Sequence, residues 1–350
     1  MPVLVCVAFI FASAIMAVCT VHNIIAGNQP DTSKGETFVW PEKSSPEANL
    51  FFLSDTRILC PIDRRLFVVT VGDKHPNKPI YEHQENIRLV SASPNGRRVV
   101  VYSTAGITEL NVLDDQMTVV KTTLIEGSVV DFAVADDGVL VVCTKGLKGT
   151  VFIRKHPDDV LQAVHRIAST KDLPRVVKTE PSVGTAAINL SAARVVLGYE
   201  RGIVSVALDN AKKSDHFIIA NSAIDILAVG INSSSGDLVA VCNGELLIKE
   251  GAVENWRRTK IGNVMVPNLA VLSKRNIVGM VASLGNHRRS TCRFYDLSSG
   301  KLIGETELSP DAAGRWLAFS PNGTYAASVT AYGLTTLKVW RVDGIIGMDK

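Results

Sequence analysis

Short runs rich in Val, Ile, Leu and Ala recur along most of the chain, and each is broken by a small polar corner. The corners fall at Ser54, Ser93, Ala135, Ser191, Ser233, Ser273 and Ser320. One apolar run leads into each corner, and a second leaves it across a tight turn. The turns read Ser93-Pro94-Asn95-Gly96, Ala135-Asp136-Asp137-Gly138, Ser233-Ser234-Ser235-Gly236 and Ser320-Pro321-Asn322-Gly323. Leu53-Ser54-Asp55, Ser191-Ala192-Ala193 and Ser273-Lys274-Arg275-Asn276 are looser versions. Asn-Gly and Asp-Gly suit tight hairpins because they accept positive φ at little steric cost. Consecutive corners lie 39, 42, 56, 42, 40 and 47 residues apart. β-Branched residues in such runs favour strands. A period of about 40–45 residues, with room for four strands per unit, is the signature of a β-propeller. The pattern predicts an all-β fold, a seven-bladed β-propeller of four-stranded blades over residues 46–350.

The ends and the longest gap refine this picture. The last unit supplies strands near Trp316–Ser320, Tyr325–Thr330 and Leu337–Val342, with no clear fourth strand after them. Glu36-Thr37-Phe38-Val39-Trp40 is a short β-prone run ahead of the first unit. It is predicted to complete the last blade, Thr37 to Trp40 pairing with Lys338–Val342, so that the ring exposes no sheet edge. Residues 28–45 therefore read as a linker plus this ring-closing strand. The long gap between Ala135 and Ser191 places an insertion at 156–184, where Val160, Leu161, Val164 and Ile167 have helix-like spacing, and a longer fourth strand followed by a turn reads at least as well.

Residues 1–27 have a different character. Pro2 to Gly27 contains no Lys, Arg, Asp or Glu, and Val3 to Val21 is almost continuously apolar. A helix of that length spans roughly one hydrocarbon core, about 30 Å. The basic start of a signal peptide is missing, and the apolar run is long for one. The segment reads as a signal or membrane-anchor segment, making the protein membrane-anchored or exported, to a periplasm or outside the cell. A buried N-terminal element of a cytoplasmic protein is the alternative.

Bulk composition narrows the partners. The chain has 350 residues, 46% of them hydrophobic, enough for a large core. Net charge is only +3. Basic residues come as scattered pairs, Arg64-Arg65, Arg97-Arg98, Lys212-Lys213, Arg257-Arg258 and Arg288-Arg289. Without a basic stripe, nucleic acid is an unlikely partner. Of six cysteines, Cys6 and Cys19 lie in the apolar leader. Cys60, Cys143 and Cys242 fall on second strands of different units, and Cys292 on a third strand. Thiols on separate blades are too far apart to bond, so these read as reduced, buried and unreactive. The missing disulfide pattern pulls against an oxidising compartment.

Three stretches carry more than a period. Arg293-Phe294-Tyr295-Asp296-Leu297-Ser298-Ser299-Gly300-Lys301-Leu302 has an aromatic-Asp pair before a polar turn. Leu317-Ala318-Phe319-Ser320-Pro321-Asn322-Gly323 is followed by Leu337-Lys338-Val339-Trp340-Arg341-Val342. Leu89-Val90-Ser91-Ala92-Ser93-Pro94-Asn95-Gly96 is followed by Leu113-Asp114. These resemble the strands and turns of WD repeats, and the resemblance extends over about residues 46–350. No unit has the Gly-His pair of that family, and Trp340 and Trp256 are each followed by Arg rather than Asp. The family's Asp–His–Ser/Thr–Trp hydrogen-bond network is therefore expected to be absent. The resemblance implies a divergent WD-repeat-like propeller that docks partners where each first strand begins. By position, the protein-binding residues there would be Asn49, Arg88, Asn268 and Arg315.

Catalytic signatures are lacking. There is no Gly-x-Ser-x-Gly, His-Glu-x-x-His, Walker A or Cys-x-x-Cys motif. His22, His75, His83, His156, His165, His216 and His287 share no blade position, so no metal site and no cofactor is expected. Asp131, Asp225 and Glu109 are the acids placed to line a central channel, with hairpin roles more natural than catalysis. The sequons at Asn189, Asn232 and Asn322 coincide with corners, where a turn role is the better reading. The function expected is a non-enzymatic protein- or peptide-binding scaffold, monomeric, and held to a membrane through residues 1–27. The alternative is a propeller-fold enzyme, a lactonase-like hydrolase or quinone-dependent dehydrogenase. That would need converging carboxylates or His at the axis, or Trp recurring once per blade.

Overall fold

A computed structural model describes residues 35–40, 49–73, 78–113, 116–145, 149–166, 183–199, 202–210, 214–219, 226–251, 255–262, 264–265, 268–284, 289–309, 313–331 and 335–347. The predicted leader at 1–27 lies outside the described residues, as does most of the linker. Among the described residues no helix is long and apolar enough to cross a membrane.

The strands form seven antiparallel sheets, taken in chain order as blades 1 to 7. Second strands are apolar almost throughout because both faces of each sheet are covered. Arg57–Ile62, Leu140–Thr144, Arg194–Tyr199 and Leu238–Cys242 are buried at every position beyond, at most, the first. Successive side chains point to opposite faces, so each such strand serves two interfaces. Ile58, Cys60 and Ile62 pack between blades 7 and 1, while Leu59 packs between blades 1 and 2. Val141 and Cys143 face blade 4, whereas Leu140 and Val142 face blade 2. The core is a circle of seven apolar clusters, one at each blade interface.

Cys60, Cys143, Cys242 and Cys292 are free and buried. They sit in four different clusters, between blades 7 and 1, 3 and 4, 4 and 5, and 6 and 7. Burial pushes the Cys60 and Cys292 thiols up to about 12, which keeps them in the unreactive thiol form.

Glu36–Trp40 is the outer strand of blade 7, antiparallel to Thr335–Arg341. Thr37 lies opposite Lys338 and Trp40 opposite Thr335, so the partner residues are 335–339, slightly earlier than expected. Phe38 and Trp40 are buried in the cluster between blades 7 and 1. Gly35 has φ +64°, and a Cβ there would meet Trp340 Cδ1 at 2.5 Å, so the strand can begin this way only with glycine. Glu36 accepts a hydrogen bond from the Gly72 N–H of blade 1 at 2.8 Å.

One expectation is corrected, at Glu109, and two open readings are decided. Val160, Leu161 and Val164 do not lie on a helix. Gln162–Arg166 is the fourth strand of blade 3, paired with Thr150–Arg154. The open edge of Thr150–Arg154 offers a row of backbone partners, whereas a two-turn helix would have to carry its own nucleation. After Arg341 comes a short helix, Val342–Ile346, whose Ile345 packs between blades 6 and 7. Glu109 does not line the channel. It lies on the third strand of blade 2, Gly106–Leu113, buried against blade 3. There it forms a two-pronged ion pair with Arg154, Nη2 to Oε2 at 2.7 Å, and Arg154 Nη2 also donates to Gly138 O at 3.0 Å.

Candidate functional site

Two circles of polar contacts set the geometry of the ring faces. On the corner side, each Ser-Pro-Asn-Gly turn consumes its own side chains. Ser93 Oγ donates to Asn95 Oδ1 at 2.8 Å and accepts from Arg98 N–H at 3.1 Å. Ser320 and Asn322 repeat this at 2.9 Å, with Tyr325 N–H to Ser320 Oγ at 3.0 Å. Gly96 and Gly323 hold φ of 69° and 77°. Neighbouring corners are then tied together. Asn95 N–H donates to Asp136 Oδ1 at 2.9 Å, Ser233 N–H to Ser273 Oγ at 2.8 Å, and Asn322 N–H to Asp55 Oδ1 at 2.7 Å. The last of these joins blade 7 to blade 1.

The second circle lies near the axis. Asn49 grips the Val90 backbone from both sides, Oδ1 accepting its N–H at 2.6 Å and Nδ2 donating to its carbonyl at 2.8 Å. Asn268 Oδ1 accepts from Leu317 N–H at 3.1 Å. Asp131 Oδ2 accepts from Ile188 N–H at 3.1 Å, and its Oδ1 from Phe132 N–H at 2.9 Å. In each case a side chain on or just before a first strand clamps the first strand of the next blade. Desolvation raises the Asp131 carboxyl from 3.8 to about 7, against the pull of its two backbone donors.

A cleft of about 300 Å³ opens where the first strands begin. Its walls come from the first strands of blades 2 to 7, with Arg88, Asp131, Lys145, Thr185, Asn268 and Trp316 as the main polar groups. Trp316 is its central feature. The indole packs against the cluster between blades 7 and 1 and also against that between blades 2 and 3, so it bridges the axis. Its Nε1 is buried and has no hydrogen-bond partner among the described residues.

Of the four residues expected to dock a partner, Arg88 and Asn268 line this cleft. Asn49 spends its amide on Val90, and Arg315 belongs to the strand Ala313–Phe319. Asp131 is in the cleft wall as expected, and Asp225 lies outside the described residues. Spacing alone missed Lys145 and Trp316. Lys145 sits in the turn after a second strand, and Trp316 is adjacent to the position singled out in its unit. His83 Nε2 lies 2.9 Å from Ser103 Oγ, and Tyr81 OH lies 2.9 Å from His83 Nδ1. Burial lowers the His83 pKa, with Glu85 opposing.

No family model matches the sequence, and no curated protein matches it. The fold compares with the β-propeller domain of Cps50 (Swd1) from Myceliophteria thermophila. The TM-score is 0.65 at 11% identity, over 88% of this chain and 99% of that domain. At that identity the likeness is one of fold, and it identifies this chain as a propeller built like the Cps50 domain.

Proposed function

We propose that this propeller is a non-enzymatic scaffold that binds a protein or peptide partner over the cleft at the start of the first strands. The observation that carries the reading is Trp316. A buried indole N–H with no acceptor among the described residues lies in a cleft rimmed by Arg88, Lys145 and Asn268. A peptide carbonyl or acidic side chain supplies the missing acceptor, and six blades offer it a rigid, multi-point seat. The WD-repeat resemblance of three units favours the same face. Hydrolytic chemistry would need converging acids. Asp131 is the one acid among the described lining residues, and both its oxygens already accept backbone N–H groups. Residues 1–27 complete the proposal as a membrane tether or export signal.

The test is affinity capture with wild type, an Arg88→Glu/Lys145→Glu variant and an outer-edge control, Lys121→Glu. A set of proteins retained by wild type and by the control, but lost from the cleft variant at unchanged melting temperature, is expected. Identical retention by all three would sink the assignment of this face.

A further inference from the structure

We infer that the groove between blades 4 and 5 binds an acidic protein segment, seated by a buried lysine that has no counter-ion among the described residues. The groove measures about 820 Å³ and shares no residue with the cleft at the axis. It opens on the corner side, beside Ala192, Ser235 and Gly236. Lys249 ends the third strand of blade 5, Glu245–Lys249, and is only 6% exposed. Its Nζ donates to Gly251 O at 2.9 Å and lies 4.8 Å from the centroid of the Phe217 ring. Phe217 in turn meets Trp256 edge-on, centroids 6.1 Å apart.

The nearby acids form no ion pair with this cation among the described residues. Asp237 is committed to Gly251 N–H at 2.9 Å and Ser235 Oγ at 2.5 Å. Asp215 is exposed, and it is the one acid among the described residues that line the groove. Arg194, half-buried at the start of the second strand of blade 4, adds a second positive charge. Neither Lys249 nor Arg194 has an ion-pair partner among the described residues. Burying an ammonium group is costly unless it is paired. One carbonyl and one ring face offset only part of that cost. A carboxylate brought by a partner completes the site, and the Phe217–Trp256 pair gives its neighbouring side chain an apolar surface. The occupant is therefore a peptide segment with Asp or Glu beside an apolar residue. Asp215 on the rim disfavours a doubly charged phosphate group.

A random 12-residue phage-displayed library selected on the full-length protein tests this. Enriched peptides should carry an Asp or Glu next to an apolar side chain. Calorimetric titration should show at least tenfold weaker binding to Lys249→Met, and a similar loss when the peptide acid is replaced by its amide. Arg194→Gln, at a less buried position, carries the same test if Lys249→Met does not fold. Arg88→Glu in the axial cleft should leave binding unchanged, so failure of the cleft assignment reads out separately. Enriched peptides without an acid, or binding indifferent to both groove variants, would overturn the inference. Tighter binding of a phosphoserine version would overturn the carboxylate assignment.

Discussion

Asn49, Asp131 and Asn268 meet one requirement with two chemistries. Each ties the first strand of one blade to the first strand of the next. An amide can donate and accept at once, as Asn49 does on Val90, while an ionised carboxylate can only accept. Asp131 therefore bears a desolvation penalty that the two asparagines avoid. Its carboxyl, raised from 3.8 to about 7, binds a proton more tightly in the folded state than in the unfolded chain. Its contribution to stability is therefore full at low pH, falls as pH rises through that interval, and is flat above it. Asp131→Asn removes the titrating carboxyl and keeps one oxygen to accept the Ile188 N–H. The melting temperature of wild type should fall relative to the variant between about pH 4 and pH 7, with a constant gap at higher pH. Parallel pH profiles for the two proteins would refute the assignment. Spacing located Asn49 and Asn268, yet not their partners, because those backbone groups lie 41 and 49 residues away along the chain.

At the scale of elements, the closing strand is the part on which the ring depends most. Glu36–Trp40 is five residues long and would be marginal alone. It is held because Phe38 and Trp40 fill the interface between blades 7 and 1 and because the edge of Thr335–Arg341 is otherwise open. Burying two large aromatic side chains is worth roughly 3–6 kcal/mol before the edge hydrogen bonds are counted. A chain that begins at residue 46 should therefore unfold at clearly lower denaturant than one that begins at Asn28. Equal midpoints would show that closure lies elsewhere. The same logic explains the segment at 162–166. Its apolar spacing fits a helix locally, but the exposed edge of blade 3 offers backbone partners that a short helix cannot match.

At the scale of the whole molecule, the ring is complete without residues 1–27. Every blade interface is already filled by its own apolar cluster. An uncharged run from Pro2 to Gly27 is costly to leave in water, at about 25 cal/mol per Å² of apolar surface. The proposed tether then makes a direct prediction. The full-length protein should sediment with membranes or be cleaved near residues 19–27, while a chain starting at Asn28 should be soluble and folded. Uncleaved, monomeric full-length protein in the soluble fraction would remove the membrane from the proposal.

The amino-acid sequence by itself determined the blade number, the corners, the closing strand and the separation of the buried thiols. All of these follow from local rules: strand alternation, turn residues that accept positive φ, and a fixed repeat length. Only the tertiary structure decided how the polar residues are used. Glu109, on a strand expected to reach the channel, is paired with Arg154 across the interface of blades 2 and 3. Trp316 reaches across the axis to blades two and three positions away in the ring. Lys249 lies against Phe217 of the preceding blade. Each of these outcomes depends on which face of a strand meets which neighbour once the ring has closed. A repeat pattern leaves that unspecified, because it describes every blade alike while each interface brings together a different pair.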